Sequence, residues 1–179
     1  MERFRRLIGV LIVFAVAGAV VLVVVVRPGL RDHEESVDRS WVPLVPQLDV
    51  RYTALEAVIP QLTANGAGER SATVELQRIV DRWRVVRTGT DSKEQVRTAN
   101  RLEAVAARVG ALTRTARLVK VPVLQQTYAT FTKSRPAPGV LDRYTRAVGL
   151  YQGRRDGFWS RIVAGLDGYA MRPTLQLVS

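Results

Sequence analysis

The sequence predicts an all-α protein in which an N-terminal single transmembrane helix is followed by an antiparallel up-and-down four-helix bundle. Three observations lead to this fold class. Residues 7–26 form a run of 20 residues without a charge, four later segments repeat apolar residues at helical spacing, and no segment alternates as a half-buried strand would. The expected division is a basic flank at 1–6, the anchor at 7–26, a polar linker at 27–39, the bundle at 40–169 and a tail at 170–179.

The anchor is predicted from length and composition. A helix rises ~1.5 Å per residue, so this run would span ~30 Å, the thickness of the hydrocarbon core of a bilayer. Small residues at 15–17 and 17–19 resemble cleavage sites, which makes a cleaved signal peptide the alternative. The apolar run continues past both sites, so we expect an uncleaved anchor that contacts the lipid bilayer. Because the chain has no cysteine, a lipoprotein anchor is excluded.

The basic residues on the two flanks of this run predict its orientation. Three arginines fall within residues 1–6, and the three on the other flank are spread over residues 27–39. The positive-inside rule counts basic residues near the span and largely ignores acids, so the denser cluster decides. We expect a single-pass plasma-membrane protein with its N-terminus in the cytoplasm and its C-terminal domain outside.

Bulk composition narrows the function classes. The absence of cysteine excludes disulfides, thiolate catalysis and thiolate metal sites. A net charge of +11 favours anionic partners. Arginine supplies 24 of the 27 basic residues, a bias typical of GC-rich bacterial genomes. We therefore give the charge little weight, and we do not expect a nucleic-acid interface.

The linker and the first bundle helix come next. Residues 27–39 are polar and begin near Pro28, which predicts a tether that is either irregular or partly helical. It contains His33, the only histidine, which we expect to be a solvated linker residue because a metal site needs more convergent ligands. The first helix is predicted from Ser40 to about Ala64, with a kink at Pro60.

Two further helices follow, separated by glycine-containing turns. The second is predicted over about 69–87, with Trp83 in the core and its arginines on a solvated face. Asp91 and Glu94 form a capping box at the start of the third. A seven-residue apolar repeat predicts that this third helix runs unbroken to Pro122 and then continues on an offset register. Asn100 is expected at the edge of its apolar stripe.

The last part of the bundle begins after residues 133–139, the strongest loop signal in the chain. The fourth helix carries Tyr144, Val148 and Tyr151 on one face. Residues 158–169 are predicted to form a separate short amphipathic segment, because Gly153 and Gly157 weaken the helix before them. Its apolar face either packs over the open end of the bundle, which is the expectation, or lies at a membrane surface beside Arg161 and Arg172.

Residues 144–152 and 158–169 resemble the closing signature of the LemA family. The first run matches its Tyr-Asn-x-Ala-Val-x-x-Tyr-Asn helix, and the second its Phe-Pro-Ser-x-x-apolar-Ala-x-Leu-x-Gly-aromatic segment. The chain departs from the signature in having Thr145 and Gln152 for the two asparagines and Trp159 for the proline. The resemblance implies a membrane-anchored four-helix bundle with no accepted enzymatic activity and no established catalytic residues.

These observations predict a non-enzymatic scaffold or accessory subunit of a bacterial cell-envelope membrane complex, with a membrane protein as partner. One alternative is a receptor-like sensor that binds a small ligand and signals through the span. The other is a tether for anionic lipid or envelope polymer.

We predict no catalytic, cofactor-binding or metal-binding residue. His33 is isolated, and there is no Glu-x-x-His pair or glycine-rich phosphate loop. The acids considered for such a role are Glu56, Glu75, Asp81, Glu103 and Asp142.

Overall fold

A computed structural model describes residues 17, 18, 20, 24 and 26–178. The basic flank and most of the proposed anchor, with its orientation, therefore lie outside the described residues. Among the described residues, no helix is both long enough and apolar enough to cross a membrane.

All regular secondary structure in residues 26–178 is helical, which confirms the all-α class for this part of the chain. The helices are shorter and more numerous than the sequence predicted. They are α1 (Arg27–Trp41), α2 (Leu44–Glu56), α3 (Val58–Ala64), α4 (Ser71–Val86), α5 (Ser92–Thr113), a 3₁₀ turn (Leu118–Lys120), α6 (Pro122–Lys133), α7 (Pro138–Arg155) and α8 (Phe158–Asp167).

The chain divides into two compact units. The first unit contains the residues up to Asp38 together with Arg146–Arg172. The second unit contains Arg39–Thr145 together with the residues from Pro173 onward. The boundaries fall inside α1 and α7.

The core of the second unit forms around the pairs α4–α5 and α2–α6, which make the most extensive helix contacts in it. The apolar stripe predicted for the second helix is confirmed at Leu76, Ile79 and Trp83, all of which are buried in α4. The Trp83 ring stands edge-on to the Tyr52 ring with 5.1 Å between centroids. Such edge-to-face contact is a favoured aromatic geometry, so Trp83 is a core residue as expected.

The predicted interruption at Pro60 is confirmed. Helix α2 ends at Glu56, and α3 starts at Val58 with Pro60 in its first turn. Proline has no N–H to donate to the carbonyl four residues earlier, and its ring crowds that carbonyl. The helix therefore breaks at Ala57.

The prediction that the third helix runs unbroken to Pro122 is wrong. Helix α5 ends at Thr113, and Ala116, Val119 and Val123 of the apolar repeat are exposed. The Thr113 hydroxyl donates to the Gly110 carbonyl at 2.9 Å, so a local side-chain bond accompanies the helix end. Pro122 starts a new helix, α6, where its missing N–H would have no partner in any case.

The prediction of a polar linker at 27–39 is also wrong, because these residues make up most of α1. Leu30 and Val37 are buried in that helix. Pro28 lies in the first turn, which tolerates proline. Val26, Leu30 and Val163 form the apolar cluster of the first unit, with Tyr169 packed partly against it.

The separate short segment predicted near residues 158–169 is confirmed as α8. Gly157 precedes it in an extended conformation, and Gly168 ends it at φ 73°. A left-handed residue at this position is the usual helix stop, and glycine adopts it without steric cost. Two glycines therefore set both limits of α8.

Candidate interaction surfaces

A buried ion pair lies at the centre of the second unit. The Arg51 side chain is 0% exposed and the Glu103 side chain 1%. Arg51 Nε donates to Glu103 Oε1 at 2.7 Å, and its Nη2 donates to Oε2 at 2.8 Å. Two parallel charge-assisted bonds are the strongest geometry available to this pair.

The remaining polar atoms of this pair are also engaged. Arg51 Nη1 donates to the carbonyls of Phe131 at 2.9 Å and Ser134 at 3.2 Å, and the guanidinium carbon lies 4.0 Å from the centroid of the Phe131 ring. The Val178 backbone donates to Glu103 Oε2 at 2.9 Å and accepts from Arg51 at 3.2 Å. The pair is therefore saturated by protein groups and connects α2, α5, α6 and the tail.

The tail beyond residue 172 has no regular secondary structure, but α5 holds it in place. Asn100 Nδ2 donates to the Thr174 carbonyl at 2.8 Å, and its Oδ1 accepts from the Gln176 backbone at 2.9 Å. Asn100 is partly buried, in agreement with its predicted position at the edge of the apolar stripe. The Asn100 side-chain amide thus supplies one donor and one acceptor to the backbone of the tail, as a peptide group of a neighbouring segment would.

Tyr52 lies beside the buried pair. Burial raises the pKa of its phenol, and the Glu103 carboxylate raises it further. The hydroxyl donates to the Ala99 carbonyl at 3.4 Å. Tyr52 is therefore a neutral core group at physiological pH.

Arginines engage four of the five acids considered in the sequence. Glu103 pairs with Arg51, and Glu75 pairs with Arg108 of α5 at 2.7 Å rather than with its helix neighbour Arg78. Glu56 and Asp81 both pair with Arg84.

The two other residues considered in the sequence lie on two different helices of the described chain. Asp142 is exposed on α7, and His33 is partly buried within α1. Among the described residues, no group of three or more His, Asp or Glu side chains is arranged to hold a metal ion.

An arginine groove lies between α4 and α5 in the second unit, with a volume of about 230 Å³. Its lining consists of Arg78, Arg82, Ile79, Thr98 and Arg101. Arg82 pairs with Glu94, whereas Arg78 and Arg101 have no ion-pair partner among the described residues. Such a groove can accept an anionic group, and the sequence did not reveal it because its arginines come from two helices.

One face of α8 exposes several large apolar side chains among the described residues of the first unit. We call this the α8 face. Phe158 is 73% exposed and Leu166 79%, and Trp159 and Ile162 are also exposed. Ser160, Val163 and Ala164 are buried on the other side of the helix. The sequence predicted one packed face, and the structure shows that α8 has two apolar faces.

Polar contacts fix the C-terminal end of α8 and the segment that follows it within the first unit. Arg27 Nε lies 2.9 Å from Asp167 Oδ2 at the C-terminal end of α8. The Tyr151 hydroxyl donates to the Ala170 carbonyl at 2.9 Å, and Gln152 donates to the Arg172 carbonyl at 2.8 Å. Burial raises the pKa of Tyr151, and the Glu34 carboxylate adds to that effect.

Arg172 does not provide the surface charge that the sequence suggested. Its side chain is buried, and it pairs with Glu34 at 3.1 Å and with Asp38 at 2.9 Å. Both acids come from the segment predicted to be a solvated linker. The positive charge of Arg172 therefore holds the first unit together, and Arg161 remains the exposed basic residue on α8.

Comparison with known proteins returned no match. No family model fits the sequence, and neither the characterised proteins nor the solved structures contain a significant relative.

Proposed function

We propose that this chain is a membrane-anchored, non-enzymatic helical protein that serves as a scaffold or accessory subunit of a bacterial cell-envelope complex. The observation that supports this best is the position of Val26. Val26 is the last residue of the charge-free run, is 6% exposed and packs with Leu30 and Val163. The last residue of the run therefore already belongs to a packed helical unit.

The continuity at Val26 also favours an uncleaved anchor over a cleaved signal peptide. Cleavage after residue 17 or 19 would leave an N-terminus of seven to nine apolar residues that ends in the packed cluster containing Val26. A stretch of ~20 apolar residues ending at the start of a folded unit is typical of an anchor.

The proposed bundle topology keeps the four helices of the sequence prediction. Along the chain, α2 with α3 corresponds to the first predicted helix, α4 to the second, α5 to the third and α7 to the fourth, and α6 is an additional helix. The resemblance to the LemA family supports this arrangement and a role without catalysis. The saturated Arg51–Glu103 pair fits the same role, because its charges contact protein groups only.

Membrane anchoring is tested by extraction of isolated membranes with alkaline carbonate. The full chain should stay in the pellet, and a chain with two arginines inserted in the middle of residues 7–26 should be released, because charges at the bilayer centre are costly. A reporter fused after Ser179 should be active outside the cytoplasm. Release of the unaltered chain contradicts the anchor, and a cytoplasmic reporter contradicts the orientation.

The scaffold role is tested by crosslinking in intact membranes, followed by purification in mild detergent at native expression. A stoichiometric membrane protein should be recovered with the chain. Recovery of a clean monomer contradicts this role.

The arginine groove favours a second candidate function, a tether for anionic polymer or lipid. Purified full chain in micelles should bind poly(glycerol phosphate), and the affinity should fall steeply between low and high salt. Arg78→Gln with Arg101→Gln should weaken binding more than the matched pair Arg135→Gln with Arg143→Gln, which removes the same charge from exposed sites outside the groove. Equal losses, or salt-insensitive binding, contradict this candidate.

A further inference from the structure

We propose that the α8 face lies in the bilayer surface, with its apolar side chains among acidic phospholipid headgroups and the upper acyl chains. This inference rests on the proposed function, because it requires residues 7–26 to be embedded in the same bilayer. It assigns the α8 face a partner, lipid, that is separate from the protein partner of the scaffold.

The first argument is the distribution of side chains around α8. Phe158, Ile162 and Leu166 recur every four residues and therefore share one face of the helix, with Trp159 at its edge. The rest of the helix surface includes the buried Ser160, Val163 and Ala164 and is already used for packing. A helix that is apolar on two faces needs a second apolar environment.

The second argument is the place where α8 is attached. Val163 belongs to the same apolar cluster as Val26, the last residue of the charge-free run, and Asp167 pairs with Arg27, the next residue. If the anchor ends at Val26, Arg27 lies at the level of the headgroups. Two contacts therefore hold α8 at the boundary between the acyl chains and water.

The third argument is the composition of the α8 face and its rim. Phe158 and Trp159 are adjacent, with ring centroids 5.1 Å apart, and tryptophan is enriched at membrane interfaces. Arg161 is exposed on the same helix, and Arg154 is exposed near the end of α7. Aromatic residues flanked by arginine are typical of segments that bind anionic membrane surfaces.

The test uses a spin label on single cysteines, because the chain has no native cysteine. Leu166→Cys labels the α8 face, and Val85→Cys is the matched control, a 65% exposed residue on helix α4 of the second unit. The full chain is placed in nanodiscs of phosphatidylethanolamine and phosphatidylglycerol. Oxygen, which partitions into lipid, should relax the label at residue 166 at least threefold more effectively than at residue 85, and a water-soluble nickel chelate should show the opposite order.

Three other outcomes of this experiment contradict the inference or the proposed function. Equal nickel accessibility at the two sites overturns the inference and leaves anchoring intact, since the chain is already in the nanodisc. Protection of residue 166 from both reagents indicates a protein contact and also overturns it. Failure of the unlabelled chain to enter nanodiscs contradicts the proposed function itself.

A second measurement covers the case in which Leu166→Cys perturbs the helix. Trp159 is exposed, whereas Trp41 and Trp83 are buried. Brominated lipids should therefore quench a component of the tryptophan fluorescence of the unsubstituted chain, and Trp159→Phe should remove at least half of that quenching. Quenching that persists in Trp159→Phe, or its absence in the unsubstituted chain, contradicts the inference.

Discussion

Two regions depart from the usual distribution of side chains, in which charges lie at the surface and apolar groups in the interior. The second unit buries the charged pair Arg51–Glu103, and the first unit exposes the apolar α8 face. Charged side chains are rarely buried unless paired, and contiguous apolar patches are rarely left exposed. The pair is satisfied entirely within the second unit. The α8 face, in contrast, is exposed: among the described residues of the first unit, no side chain covers Phe158 or Leu166.

The strongest test of this contrast is Glu103→Gln. This substitution leaves the Arg51 charge buried without a carboxylate, and we expect the free energy of unfolding in detergent micelles to fall by about 3–5 kcal/mol. The double variant Arg51→Met, Glu103→Leu should recover a large part of that loss, because no charge then remains buried. If Glu103→Gln alone is neutral, Arg51 does not depend on the Glu103 carboxylate, and the buried pair does not stabilise the fold as described.

The next test compares two leucines of the first unit. Leu30 is fully buried and Leu166 is 79% exposed. We expect Leu30→Ala to cost about 2–5 kcal/mol in micelles and Leu166→Ala to change stability by about 0.5 kcal/mol or less. A large loss of unfolding free energy in Leu166→Ala would mean that the α8 face stabilises the fold itself, which contradicts its description as an exposed surface. Chemical denaturation of both variants measures the difference.

Asn100→Ala tests whether α5 holds the C-terminal tail in the second unit. The substitution removes two hydrogen bonds to the tail, which we expect to cost about 1–2 kcal/mol in total. The tail should then be cleaved faster by carboxypeptidase. Thr115→Ala, which removes a single local hydroxyl bond on an exposed turn, is the control and should leave cleavage unchanged. Equal cleavage of the Asn100 variant and the unsubstituted chain would show that other contacts hold the tail.

The smallest expected effect concerns Tyr52 at alkaline pH. Its pKa is raised in the folded state by burial, so the folded chain keeps this proton where the unfolded chain loses it. The stabilisation is complete below the unfolded pKa of about 10, and it declines by up to ~1.4 kcal/mol per pH unit above that value, until the folded pKa is reached. Tyr52→Phe should flatten the stability profile above pH ~10. If the unsubstituted chain and Tyr52→Phe lose stability equally as the pH rises above ~10, the pKa of Tyr52 is not raised in the folded state.

The sequence predicted most local features for identifiable reasons. Pro60 disrupts a helix because it lacks a donor, and Gly157 separates α8 from the helix before it because glycine weakens a helix. The stripe of α4 follows from apolar spacing alone. These features depend on a few neighbouring residues, so they can be recognised in a linear pattern.

Two predictions failed because long-range contacts overrode local composition. Residues 27–39 carry many charges and were expected to be a tether, yet Arg172 neutralises Glu34 and Asp38 from more than 130 positions away. The apolar repeat beyond Thr113 was expected to extend α5, yet its valines are exposed. Neither the distant arginine nor the helix end could be found from the spacing of apolar residues.

The amino-acid sequence was sufficient to predict the helical class seen in residues 26–178, the run of bilayer length in the first 26 residues and the lack of cysteine chemistry. These properties follow from backbone preferences and from the composition of contiguous segments. Which charges are buried and which apolar side chains stay exposed could be read only from the folded chain. Burial depends on residues that meet from distant parts of the chain, and so the Arg51–Glu103 pair and the α8 face became visible only in the folded protein.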